Sequence, residues 1–231
     1  MERTERRKRQ KRALAILGIV LLGCAVMAVT DGVIEPPYAV KSAVKLLFFA
    51  AIPGIYLFFT GDERFRRFLT PKKARLLPAL LLGIGVFAVI VGGYFLLRGK
   101  IDFSGAIDSL AGGEGVTKEN FPFVAVYISL VNSFCEELFF RGLAFGALSG
   151  VLSHRAAYLF SSLAFAVYHV AILSGWFSPL LIALFIAALA AAGMIFDRID
   201  DGADSVYPSW IVHLFANLGI NTVGMILFGI L

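Results

Sequence analysis

Apolar residues run along this chain in blocks about as long as a bilayer core is thick. Seven stretches are almost continuously hydrophobic: 13–29, 38–60, 79–97, 123–152, 156–173, 179–196 and 210–231. Roughly 20 apolar residues in an α-helix cross a hydrocarbon core. A membrane β-barrel would show short alternating strands instead. The pattern therefore predicts an all-α fold: a polytopic membrane helical bundle of about seven transmembrane helices. Pro53-Gly54 is expected to interrupt the second stretch.

The polar segments between the blocks orient the chain. Residues 1–12 form a basic head carrying Arg3, Arg6, Arg7, Lys8, Arg9, Lys11 and Arg12. Residues 61–78 carry Arg64, Arg66, Arg67, Lys72, Lys73 and Arg75. Basic loops stay on the cytoplasmic side, so both segments and the N-terminus are expected there. Lys41 and Lys45, near the start of the second block, are expected to snorkel outward. Residues 98–122 read as a polar extracytoplasmic loop, with a flexible centre at Gly112-Gly113-Glu114-Gly115 and a short interfacial helix at 103–110. Trp176 is expected at the outer interface, and 197–209 as a cytoplasmic loop in which acidic residues outnumber basic ones. No internal repeat is visible. The organisation is a basic head (1–12), helices one to three (13–97), the polar loop (98–122) and a C-terminal helical core (123–231).

Composition agrees with this and removes other classes. The chain has 231 residues, 59% hydrophobic and 16% charged, with mean hydropathy +0.84. A formal charge of +5 can indicate a nucleic-acid partner. Here the basic residues flank apolar blocks, which fits topology and anionic membrane lipid, with no nucleic acid. Cys24 and Cys135 both lie in apolar runs, so no disulfide framework is expected.

The chemistry is concentrated in the fourth block. Glu136, Glu137 and Arg141 sit in the middle of a membrane helix, where each charge costs about 2.5–3.5 kcal/mol on insertion scales. Glu137 and Arg141 are spaced i, i+4 and can pair. They continue a stripe through Ser129 and Ser133, with Asn132 and Glu136 on an adjacent one. Glu136 points to a different side from Glu137 and has no local partner for its charge. Two more polar groups follow: Phe165-x-x-x-His169 in the fifth block, and His213-x-x-x-Asn217 in the seventh, with Asn221 continuing that row. Each alone reads as an interior hydrogen-bonding group. Together they place one uncompensated carboxylate, two imidazoles and an amide on three helices. That set suits water attack on a carbonyl, which needs a base beside the water and donors for the oxyanion. Glu136 can be the base, His169 can orient the water, and His213 and Asn217 can donate to the oxyanion.

The three motifs resemble the signatures of the CPBP intramembrane proteases, which include the type-II CAAX prenyl endopeptidases and bacteriocin-processing enzymes. The resemblance covers 123–231; the first three blocks carry no motif of that family. It implies that Glu136 and His169 activate water. It further implies that His213 and Asn217 form the oxyanion site, with Glu137 and Arg141 supporting it. The family's eukaryotic prenyl proteases have eight membrane helices, against seven expected here. The family is filed among metalloproteases, and Glu136, His169 and His213 are three potential zinc ligands with an open position. The same residues serve equally as a metal-free base and oxyanion site. The implied partners are membrane lipid and a membrane-associated peptide or protein, prenylated or not.

Two rival functions use the same residues. Buried Glu, His and Arg also build proton relays in transporters, although inverted repeats and broken helices are not evident. A non-catalytic immunity or scaffold protein on the same fold is the third reading. Outside the motifs, Gly142, Gly146 and Gly150 make a small-residue face for helix packing, and Ala183, Ala187 and Ala191 another. Phe139 and Phe140 are candidates for lining a groove for a lipid or an apolar substrate helix. His154, in a turn, has no expected role. Depth leaves His213 shallow unless the seventh helix begins before Pro208 or the cavity dips from the cytoplasmic side.

Overall fold

The computed structural model describes residues 2–108, 115–174 and 177–231. Gly112, Gly113, Glu114 and Trp176 lie outside them. Among the described residues, seven helices are long and apolar enough to cross a membrane. They are α1 (Arg3–Ile34), α2 (Tyr38–Thr60), α4 (Arg75–Leu97), α6 (Phe121–Gly150), α7 (His154–Leu173), α8 (Pro179–Ala203) and α9 (Tyr207–Leu227). Two short helices complete the order, α3 (Glu63–Phe68) and α5 (Ser104–Asp108). The chain is an all-helical, multi-pass membrane bundle. Apolar side chains such as Phe58, Phe59, Leu96 and Leu180 cover its outside. Such a surface is stable against lipid tails and unstable in water.

Several expected boundaries shift. The basic head is helical and continuous with the first span, since Lys and Arg are good helix formers. The interruption at Pro53 appears as a π-helical segment, Leu47–Ala51, directly ahead of it. Proline lacks the N–H that an α-helix would need at that point, and the wider turn accommodates the loss. The interfacial helix of the 98–122 loop is Ser104–Asp108. The expected loop at 197–209 is a correction. α8 runs through Asp197, Asp200 and Asp201 to Ala203, and α9 starts at Tyr207, before Pro208. Proline is tolerated in the first turn, where its missing N–H has no helical partner anyway.

α6 is the central element. It is the most buried of the spans, and Phe139, Phe140, Leu143 and Phe145 have no exposed surface. Phe139 stacks on Phe49 of α2, with ring centroids 4.0 Å apart, and Phe140 meets Phe49 and Phe165 edge-on. The groove expected at Phe139 and Phe140 is therefore absent; both rings are core. Gly142 and Gly146 do serve close packing, but against the short α3. A Cβ on Gly142 would lie 2.6 Å from the Phe65 ring, and one on Gly146 3.1 Å from Phe68.

The alanine row of α8 is another correction. Ala183, Ala187 and Ala191 are exposed. The close approach of α8 to α7 instead uses Gly193, where a Cβ would lie 3.0 Å from the Ser162 Cα and 3.3 Å from its carbonyl oxygen. Backbone gives way less readily than a side chain. Gly193→Ala is expected to destabilise the bundle by about 1–3 kcal/mol. Thermal unfolding of the purified protein in detergent measures this, and an unchanged midpoint would refute it.

Candidate active site

The polar stripe of α6 faces α9, as expected of charges that avoid lipid. Ser129, Ser133, Glu137 and Arg141 are all fully buried. The contacts between the two helices ascend in steps. Asn221 donates to the Ser129 hydroxyl at 3.1 Å and to the Ala125 carbonyl at 3.1 Å. Trp210 Nε1 donates to Ser133 Oγ at 3.1 Å. One turn further along α6, Glu137 Oε1 accepts from His213 Nδ1 at 2.7 Å, and Oε2 accepts from Ser209 Oγ at 2.7 Å. Each step removes a polar group from contact with hydrocarbon, where leaving it unpaired is costly.

Arg141 lies beneath Glu137. Its Nε is 3.3 Å from Glu137 Oε2 and 3.6 Å from Asp197 Oδ1. Its guanidinium carbon sits 4.2 Å from the centroid of Phe165 and 5.0 Å from that of Phe196. A planar cation between ring faces is stabilised by their quadrupoles even where few hydrogen bonds reach it. Asp197 and Asp200, expected in a loop, are fully buried in this network. Asp197 accepts from Ser161 and Ser162, each at 2.9 Å, and Asp200 accepts from the Ser209 backbone N–H at 3.1 Å. Acidic residues just past an apolar block look like an exposed turn. Arg141 and the serines on α7 and α9 account for their burial.

Glu136, on the adjacent face, is also buried. Its two oxygens have different surroundings. Oε1 accepts from Asn132 Nδ2 at 3.1 Å and from Lys45 Nζ at 2.9 Å. Oε2 faces two imidazoles: His213 Nε2 at 3.7 Å and His169 Nε2 at 3.9 Å. These separations exceed a direct hydrogen bond, yet one water can touch both groups at once. Glu136 is therefore not without a partner, and Lys45 does not snorkel. The pairing explains why: an ammonium and a carboxylate in a low-dielectric interior attract each other strongly enough to hold both inside. Lys41 is likewise buried, 3.5 Å from Asp31.

The histidines are oriented by their other nitrogens. His169 ends the regular part of α7, and its Nδ1 donates to the Phe165 carbonyl at 2.7 Å. His213 Nδ1 donates to Glu137. A neutral imidazole that donates from Nδ1 carries its lone pair on Nε2. Both lone pairs thus point toward Glu136. The expected motif Phe165-x-x-x-His169 acts through the backbone carbonyl of Phe165, while its ring supports Arg141.

The structure thus brings Glu136, His169 and His213 together, with Glu137 and Arg141 behind His213. It does not join Asn217 to them by a hydrogen bond. Asn217, one turn past His213, donates to the Ile128 carbonyl of α6 at 3.2 Å. Ile128 opens a π-helical segment, Ile128–Asn132, which frees backbone carbonyls from the regular ladder. His154 also has a partner, Asp201 at 3.1 Å on the exposed end of the bundle.

These residues fall within one matched segment. Residues 118–219 match the family model "Type II CAAX prenyl endopeptidase Rce1-like". The Rce1-like segment begins just ahead of α6 and ends in α9, so it holds Glu136, Glu137, Arg141, His169, His213 and Asn217. Lys45 lies outside it. The matched family is one of endopeptidases. No curated protein and no solved structure matches the chain.

The zinc reading needs Glu136, His169 and His213 to close on one ion. Among the described residues no group of three or more His, Cys, Asp or Glu is arranged to hold a metal ion. The Lys45 ammonium on Glu136 also opposes a dication at the same carboxylate. The reaction proposed below draws on these side chains alone.

Proposed function

We propose that the protein is an intramembrane endopeptidase, hydrolysing a peptide bond of a membrane-associated peptide or protein, prenylated CAAX-type chains included. The observation that carries this reading is the convergence of Glu136 Oε2 with two imidazole lone pairs, 3.7 and 3.9 Å away, inside a membrane bundle. The match of residues 118–219 to an endopeptidase family supports it independently.

The chemistry follows from the placement. A water held between Glu136 Oε2 and His169 Nε2 gives a proton to Glu136 as its oxygen attacks the scissile carbonyl carbon. The carbonyl π electrons move to the oxygen, forming an oxyanion. The Asn217 amide has a second N–H beyond the one on Ile128, and that hydrogen is the donor for the oxyanion. The intermediate collapses, the C–N bond breaks, and the leaving nitrogen takes the proton from Glu136. His213, paired with the Glu137 carboxylate, can carry a second proton and then donate from Nε2, as a carboxylate-held imidazole does in a catalytic triad. In its neutral state His213 accepts at that nitrogen. The donor role expected from the motif therefore applies only to the imidazolium. We also place the N-terminus on the cytoplasmic side, on the strength of the basic residues at the start of α1 and in the α2–α4 connection.

The test is direct. The purified full-length protein is incubated with lipid-anchored peptides, one series farnesylated near the C-terminus and one acylated, and products are read by mass spectrometry. Two fragments from one internal bond are expected. Intact peptides in both series would reject the reading. Cleavage is further expected to continue in excess EDTA and in 1,10-phenanthroline. Loss of activity that added Zn2+ restores would place a metal at the site after all.

A further inference from the structure

The Rce1-like segment does not contain every group that sets the state of its central carboxylate. Lys45 comes from α2, 91 residues before Glu136 in the chain. Its ammonium bonds Asn132 Oδ1 at 2.6 Å and Glu136 Oε1 at 2.9 Å. Its side chain is 11% exposed and that of Glu136 4%. The charge also rests against aromatic rings, 5.2 Å from the Tyr168 centroid and 5.8 Å from that of Phe49. Burying a lysine in a membrane helix is costly, and nothing about α2 as an anchor requires it.

The arrangement divides the labour of the two carboxylate oxygens. Oε1 is claimed by two donors, one of them charged. Oε2 carries no such bond and faces both imidazoles. Rotating the carboxylate would break two hydrogen bonds, so the oxygen that faces the histidines is selected. Asn132 is fixed as well: its amide oxygen accepts from Lys45 while its amide nitrogen donates to Glu136. Lys45, Asn132 and Glu136 thus form a closed triangle across two helices.

We propose that Lys45 is a positioning residue for peptide hydrolysis: by occupying Oε1 of Glu136 it presents Oε2 as the base. The N-terminal helices are then part of the active site. The inference rests on the hydrolytic reading above. A charge-assisted bond at 2.9 Å holds a carboxylate more tightly than a neutral donor does. Its loss lets the carboxylate turn away from the water, and a displacement of about 1 Å at a reacting group can cost about 100-fold in rate.

The experiment compares Lys45→Met, Lys45→Arg and Glu136→Gln in the purified full-length protein, with one lipid-anchored peptide substrate and thermal unfolding in detergent as the folding check. Lys45→Met is expected to lower kcat by about 100-fold, with KM changed by less than about threefold. Lys45→Arg, which keeps charge and donors, should recover most of the loss. In a Glu136→Gln background Lys45→Met should cost nothing more, because both act through the one carboxylate. A purely structural lysine would instead reduce the folded fraction and leave kcat per folded molecule unchanged. That result, or a kcat equal to wild type, overturns the inference. If Lys45→Met does not fold, Lys45→Gln is read by the same kcat criterion. Should Glu136→Gln itself remain active, the hydrolytic reading fails; should it be inactive while Lys45→Met is fully active, only the role of Lys45 fails.

Discussion

Glu136→Gln is expected to reduce cleavage of a lipid-anchored peptide by about 100- to 10,000-fold, the span over which a positioned general base contributes. The substitution is nearly isosteric. Its amide oxygen can still accept from Lys45 and Asn132, so the triangle that holds the side chain survives. What disappears is the basic oxygen facing His169 and His213. The unfolding midpoint should therefore move little while kcat collapses. Retained activity within about threefold would remove Glu136 as the base. The contrast between a dead enzyme and an intact fold matters because Glu136 is buried: a change that merely loosened the bundle would lower both together.

Arg141→Met should have the largest effect on stability, about 3–5 kcal/mol, because it strips a buried network of its cation. Glu137 Oε2 and Asp197 Oδ1 lie 3.3 and 3.6 Å from the guanidinium, and all three side chains are fully buried. Without Arg141 two carboxylates share the interior with Asp200 close by on the same serine. Methionine fills much of the volume, so the loss is electrostatic and not a cavity. Lower yield of folded protein and a lower unfolding midpoint are the expected readouts. Arg141→Lys should recover only part, since an ammonium lacks the planar face that rests on Phe165 and Phe196. A midpoint unchanged in Arg141→Met would mean that the ion pair contributes nothing to the fold. Activity should fall as well, because Glu137 orients His213.

Legibility of the site divided along a simple line. The Glu137–Arg141 pair is local, one helical turn apart, and spacing alone finds it. The stripe through Ser129 and Ser133 is legible for the same reason, since helical geometry places these positions on one face. Lys45 was not. A lysine near the end of an apolar block usually reaches for water, and nothing in α2 itself says otherwise. Its carboxylate partner lies two spans further along the chain, and the pairing exists only once α2 packs on α6. Asp197 and Asp200 follow the same logic. Their acidity suggests a loop, and the serines that make their burial tolerable lie on α7 and α9.

The alanine row on α8 and the phenylalanines of α6 show the converse error. Small residues at regular spacing can pack, but lipid accepts alanine equally well, so spacing does not choose between helix and membrane. Aromatic residues beside a charged cluster can line a groove, but Phe139 and Phe140 fill the core against Phe49. In a bilayer there is little hydrophobic difference between a buried and a lipid-facing apolar side chain, so the helical face it occupies is not encoded in its polarity.

The sequence by itself determined seven helices long and apolar enough to cross a membrane, and placed the candidate site residues of the family motifs on α6, α7 and α9. Hydropathy and local spacing carry that information, because insertion cost and helical geometry depend on neighbouring residues. Tertiary structure alone decided which oxygen of Glu136 faces the histidines, which nitrogen each histidine presents, and that Lys45 and Asp197 belong inside. Those outcomes depend on partners brought within about 3 Å by helix packing, where hydrogen bonding sets the orientation of each group.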